Sequence, residues 1–92
     1  MRRYLVPLLA ALGLAATAQA EPLEPSEALA CAAARYRGEA LALREDREVS
    51  ELRWLTPAGN VVRIRLTGPG CRFVEVEGIG QIEARILPGE RP

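Results

Sequence analysis

The groups able to act as nucleophile or general base are few in this chain. Of its 92 residues none is histidine and two are cysteine. Without an imidazole, the commonest general base and the commonest transition-metal ligand are both missing. Ser26 and Ser50 then have no partner to activate them, and neither a Ser-His nor a Cys-His mechanism can be assembled. A carboxylate pair remains, because Glu75 and Glu77 would project from one face of a strand. Same-face glutamates usually mark the wet side of a sheet, and no pocket is implied that would shift their pKa values. The run Arg44-Glu45-Asp46-Arg47-Glu48 holds three acids, but a calcium loop needs several oxygen ligands and a glycine at its sharp turn. Two arginines stand there instead. The expectation is a protein without catalytic residues, metal site or cofactor.

What polar chemistry is left lies in the alternation of arginine and glutamate. Arg53, Arg63, Arg65 and Arg72 fit on one outer sheet face, interleaved with Glu51 and Glu75. Cross-strand ion pairs are the plain reading, each worth less than about 1 kcal/mol at a surface. The sharper reading is a polar docking face for a protein partner. Nucleic acid is an unsuitable partner, since the chain carries 12 basic and 12 acidic side chains and no basic excess.

Those side chains need a compartment and a scaffold. Met1-Arg2-Arg3 is a short positive start, Leu5 to Ala16 is apolar, and Ala18-Gln19-Ala20 reads as a small-x-small cleavage site before Glu21-Pro22. These are the three parts of a secretory signal in order, predicting a leader over residues 1–20. The apolar run is shorter than the ~20 residues a spanning helix requires, so no membrane insertion is expected after cleavage. A lipoprotein box at Ala28-Leu29-Ala30-Cys31 is rejected, because Glu21, Glu24, Glu27 and two prolines separate it from the apolar run. Removing the leader takes Arg2 and Arg3 with it and leaves a charge of 10 − 12 = −2. In an oxidising compartment, periplasmic or secreted, Cys31 and Cys71 are most simply a disulfide, a structural staple; no C-x-x-C spacing supports a redox pair. A domain of this size buries only about 60% of its unfolded surface and benefits from such a staple.

Residues 21–26 are polar and proline-broken, which predicts a flexible lead-in. Ser26 is a candidate N-cap, Ala28 to Arg37 is rich in the best helix former, and Gly38 is a candidate C′ residue. Two buried stripes are possible: Leu29, Ala32, Ala33 and Tyr36, or Ala28, Cys31, Ala32 and Arg35. After Gly38 the period changes to two. Glu39 to Arg44 predicts a strand with Leu41 and Leu43 on one face, and Glu45 to Glu48 a charged connection. Glu51 to Thr56 predicts a strand with Leu52 and Trp54 inward. A hairpin turn at Thr56-Pro57-Ala58-Gly59-Asn60 leads to Val61–Leu66, with Val62, Ile64 and Leu66 on one face. Gly68-Pro69-Gly70 is a second turn. Cys71 to Glu77 predicts a fourth strand with Val74 and Val76 on one side, Cys71 and Phe73 on the other. Residues 79–87 fit a helix through Ile79, Ile82 and Ile86, or a strand through Ile82, Ala84 and Ile86; a short helix is favoured. Residues 88–92 predict a disordered tail. The elements make an α+β unit in the order α-β-β-β-β, one N-terminal helix packed on a three- to four-stranded antiparallel sheet, with Trp54 as its bulkiest core group.

This order carries a resemblance. Ala28-x-x-Cys31-Ala32 leading into Tyr36-Arg37-Gly38 and Glu39 to Arg44 resembles the opening of the PepSY family. Leu52 to Leu66 with its turn resembles the family's central hairpin, and Gly70-Cys71-Arg72-Phe73-Val74-Glu75-Val76-Glu77-Gly78 its closing segment. The likeness spans residues 27–87 and rests on small, apolar and turn residues. Arg37 stands where a proline is usual, Gly68-Pro69-Gly70 replaces the more typical turn, and Cys31 and Cys71 fall at commonly apolar or variable positions. The resemblance implies an exported or membrane-associated domain that restrains peptidases, with no catalytic residue to transfer. It also implies that Cys31 lies on the sheet-facing stripe.

Three functions follow as expectations. The first is an exported, non-catalytic binding or regulatory domain that docks on a protein, a peptidase in the PepSY-like reading. The second is an accessory or sensor domain of an envelope signalling system. The third, a small enzyme or metal carrier, is disfavoured by the missing histidines. The leader and the staple predict together that the exported protein has the intact mass of a chain starting at Glu21, two hydrogens lighter than its reduced form. Mass spectrometry with and without reductant reads both; a retained leader, or two alkylatable thiols in the native protein, would refute this.

Overall fold

The computed structural model describes residues 19–90. All but the last two residues of the expected leader, and residues 91–92 of the tail, lie outside them. Helix α1 spans Pro25–Arg35 and is followed by strands β1 (Glu39–Asp46), β2 (Val49–Leu55), β3 (Val61–Thr67) and β4 (Arg72–Glu77), then by the single-turn helix α2 (Gln81–Ala84). The strands form one antiparallel sheet in the order β1-β2-β3-β4, and α1 packs on one face of it. The α-β-β-β-β architecture read from the sequence is the architecture of the protein.

Helix α1 starts two residues earlier than Ser26 as a cap would have it. Pro25 takes the first position, where its missing N–H costs nothing, and Glu24 is the cap. The Glu24 backbone N–H donates to Glu27 Oε1 at 3.0 Å, the reach-back half of a capping box. Its buried stripe is Ala28, Cys31 and Ala32, while Leu29 is exposed. Small side chains at those positions let the helix approach the sheet closely.

The helix ends at Arg35, and Gly38 is not its C′ residue. Tyr36 is already extended, and Gly38, at φ +127°, lies where the chain enters β1 beneath the end of β2. A Cβ on Gly38 would come within 2.1 Å of the Leu55 carbonyl oxygen and 2.8 Å of Trp54 Nε1. That close approach brings Trp54 Nε1–H to the Arg37 carbonyl oxygen, to which it donates at 2.9 Å.

The inner face is built from rows that run across the strands. Leu43, Leu52, Ile64 and Val76 are in register across all four, as are Trp54 with Val62 and Leu66 with Phe73. Leu52, Trp54, Val62, Ile64 and Leu66 are buried in one cluster with Ala28, Cys31, Ala32 and Tyr36. Both edge strands carry a β-bulge, and each changes an inward residue expected from strict alternation. The β1 register skips Leu41, so Ala40 and Leu43 face the core and Leu41 is exposed. The β4 register skips Val74, so Phe73 and Val76 face the core together and Val74 is exposed. One inserted residue shifts the pleat by one, which alternation along a single strand does not reveal. Phe73 stacks edge-on with Tyr36, centroids 6.2 Å apart, and carries the Arg35 guanidinium 4.3 Å above its ring.

The segments before α1 and after α2 are tied down more than their composition implies. In the expected lead-in, Glu21 and Gly68 exchange backbone hydrogen bonds of 2.8 and 2.7 Å, and Leu23 is part of the core. A lone apolar residue between prolines thus finds a place over the β3–β4 turn. At the other end, Ile86 N–H donates to Arg35 O and Arg37 N–H to Ala84 O, so the segment after α2 pairs with the corner after α1. Ala84 is buried there, while Ile79 and Ile82, expected to form an apolar helix face, stand in solvent. The expected disordered tail makes a turn through Glu90, whose carboxylate pairs with Arg37 at 3.0 Å. The Leu87 N–H bonded to that carboxylate, followed by Arg37, holds the Glu90 pKa below the usual carboxylate range.

The glycines give a direct test. Gly38→Ala combines an unfavourable φ with a backbone clash, and a loss of about 3 kcal/mol in urea unfolding is expected. Gly59→Ala also has positive φ, but its Cβ would meet open space, so about 1 kcal/mol is expected. Equal losses would mean that the Leu55 approach does not exist in solution.

Candidate functional site

The outer face of the sheet takes the residues that alternate with the core rows. Arg44 on β1, Glu51 and Arg53 on β2, Arg63 and Arg65 on β3, and Glu75 and Glu77 on β4 all stand on it. Antiparallel register puts Glu51 opposite Arg65, Arg65 opposite Glu75, and Arg63 opposite Glu77. The side chains close into a ladder across the sheet. Arg44 pairs with Glu51 at 3.0 Å, Arg65 reaches Glu51 at 3.8 Å and Glu75 at 3.4 Å, and Arg63 reaches Glu75 at 4.0 Å and also bonds Glu77. Each exposed pair is worth less than about 1 kcal/mol, but sharing partners lowers the entropy lost per pair. Arg65 Nε is buried with no hydrogen-bond partner among the described residues, and faces the Glu51 carboxylate at ion-pair distance.

Arg53 departs from this pairing. It lies directly opposite Arg63, a like-charge cross-strand pair, which is destabilising by position. Arg63 is compensated by Glu75 and Glu77, whereas Arg53 is exposed and makes no ion pair among the described residues. Around the two arginines is a shallow open depression of about 500 Å³, lined also by Glu51, Val61, Glu77 and Gly78. This arrangement offers two guanidinium groups on the central strands, with the Glu51 carboxylate beside them on β2 and that of Glu77 on β4. It suits charge-assisted hydrogen bonds to a polar partner.

Of the residues the sequence assigned to a docking face, the structure gathers Arg53, Arg63, Arg65 and Glu75. Arg72 shares the outer face but sits at the far end beside Thr67, outside the ladder. Arg44 and Glu77 belong to the ladder and were not assigned to it. In the sequence Arg44 belongs to a charged run and Glu77 to the wet side of a strand. The cross-strand register that joins them is a tertiary property. Ser50 is buried on the inner face, and Ser26 is exposed on the first turn of α1. Among the described residues, no group of three or more cysteines and acids is arranged to hold a metal ion.

Cys31 and Cys71 are joined by a disulfide that ties α1 to the turn before β4, with Cα atoms 5.6 Å apart. It closes a loop of 40 residues, which in the chain-entropy account contributes about 4 kcal/mol. The bridge is on the opposite side of the sheet from the ladder and leaves the outer face free.

Compared with known protein families, curated proteins and solved structures, the chain matches none.

The Arg53–Arg63 pair predicts an unusual mutational sign. Arg53→Glu puts an acid opposite Arg63, and thermal unfolding should show a gain of about 0.5 kcal/mol. A loss of stability would mean that Arg53 already has a stabilising partner.

Proposed function

We propose that this protein is an exported, non-catalytic binding domain that docks through the outer face of its sheet on another protein. The observation that carries the reading is Arg53. A surface cation kept opposite another arginine, at a cost to the fold, is readily understood if a partner's carboxylate completes it. The rigid ladder around it supports the same view, because side chains already fixed lose little entropy on binding. The leader pattern and the disulfide support a periplasmic or secreted setting. The PepSY-like order of elements supports a peptidase as the partner, with restraint of proteolysis as the effect.

The test measures binding to an exported metallopeptidase of the thermolysin type, and hydrolysis of its substrate with and without the domain. Inhibition or altered turnover is expected with the natural protein, and a loss of about tenfold or more in affinity with Arg53→Glu, whose fold is retained. Unchanged proteolysis, or equal action of the variant, would count against this reading. Retention of a histidine kinase from envelope membranes, with no effect on the peptidase, would favour the accessory-domain reading.

A further inference from the structure

The disulfide is less enclosed than a purely internal staple. Between α1 and the β3–β4 turn, an open groove of about 300 Å³ is lined by Leu23, Ala30, Ala34 and both cysteines, with Glu27 as its one charged wall residue. The two cysteines differ in access. Cys31 belongs to the core cluster and is 7% exposed, while Cys71, at the end of the β3–β4 turn, is exposed. Gly70 beside it has open space where a side chain would stand, so the turn is uncrowded around Cys71. The bridge also carries much of the attachment of α1. Apart from Cys31, the buried positions of that helix are Ala28 and Ala32, whose methyl groups remove little apolar area from water. The other polar ties lie outside it: Glu21 bonds Gly68 before the helix, and Trp54 bonds the Arg37 carbonyl after it.

We propose that the Cys31–Cys71 bridge is a thiol-exchange site, attacked at Cys71 by a protein dithiol entering through the groove, and that its reduction frees the middle of α1 from the sheet. The bridge is the substrate of this exchange and catalyses nothing itself. Exchange depends on which sulfur is attacked and on access to it, and the exposed residue is the one a bulky thiol reaches. The partner's thiolate bonds to Cys71 Sγ, the S–S bond breaks, and Cys31 leaves as a thiolate that takes a proton from water. The partner's second thiol loses its proton and attacks the partner's own sulfur in the mixed disulfide, which closes the partner's disulfide and releases Cys71. Two electrons pass from the dithiol to the bridge. The methyl-lined wall suits the apolar surface around a protein thiol, while the Glu27 carboxylate opposes a small anionic thiol such as glutathione. Once the bridge is open, α1 stays tethered at both ends and the sheet keeps its own ladders, so the helix loosens first.

Trapping tests the site of attack on the native, oxidised protein. It is mixed with a thioredoxin-like protein whose second cysteine is changed to serine, quenched in acid, alkylated and digested. Mass spectrometry should find the mixed disulfide on Cys71 and the alkyl group on Cys31, by about ten to one or more. Equal trapping on both cysteines, or a preference for Cys31, would overturn the proposal. Ala30→Gln/Ala34→Gln fills the groove at two exposed positions with a neutral, helix-compatible side chain, and circular dichroism checks its fold. It should slow the protein dithiol about tenfold while the rate with dithiothreitol stays within about twofold. A change in neither rate, or the same change in both, would overturn entry through the groove. Hydrogen exchange of the reduced natural protein reads the release. Amides of α1 should lose about tenfold or more in protection while those of β2 and β3 keep theirs. Equal loss in all of them, or none in α1, would overturn that part. No residue of the arginine face is changed, so these results and the peptidase assay can fail separately.

Discussion

The inner face of the sheet has to be covered by a helix whose buried positions are two alanines and a cysteine, and most features of the fold answer that constraint. Such a helix brings little apolar area of its own, so the bulk must come from the strands. Trp54 supplies the largest share, and its indole N–H would be left unsatisfied by an apolar covering layer. The Arg37 carbonyl oxygen satisfies it, at a corner that can come so close only because Gly38 has no side chain. Corner, indole and glycine act together. The strand from Tyr36 into β1 and the C-terminal segment pairing with it are both placed by that contact.

The helix is too poor in bulk to be held by packing alone, and covalent and local ties complete the attachment. The disulfide fixes the middle of α1 to the β3–β4 turn. Leu23 and the Glu21–Gly68 bridge fix its approach to the same turn. Arg35 over Phe73, and Tyr36 against the edge of that ring, fix its end. Of the two stripes open in the helix, the one through Ala28, Cys31 and Ala32 is the buried one, which turns Cys31 inward.

With one face of the sheet consumed by the core, the other carries the ladder of arginines and glutamates. Central strands are the most rigid place to present charge, and the ladder uses them. The bulges at Leu41 and Val74 lie on the two edge strands, where they interrupt the regular row of backbone groups that would otherwise invite strand addition. Contact through side chains on the outer face is therefore better served than contact through an edge.

Much of this was legible in the residues themselves. Alternation along β2 and β3 is uninterrupted, and both strands face as their periods require, because a strand buried on one side has no freedom to slip by one residue. Alanine richness and the pattern of two cysteines likewise set the helix and its staple. The edges were not legible. Whether Leu41 or Ala40 turns inward depends on a bulge, and a bulge is a relation between two strands. Ser26 was a sound cap by type, yet Glu24 and Pro25 fitted the chain's path from Gly68 better. The ladder, the Arg53–Arg63 like-charge pair and the exposed Ile79 and Ile82 depend on register and on which surface the C-terminal segment meets. Periodicity and composition act along one chain, while these arise only when distant segments lie side by side. The sequence by itself determined the elements, their order and the sulfur link; tertiary structure decided which charges meet and which apolar groups stay in water.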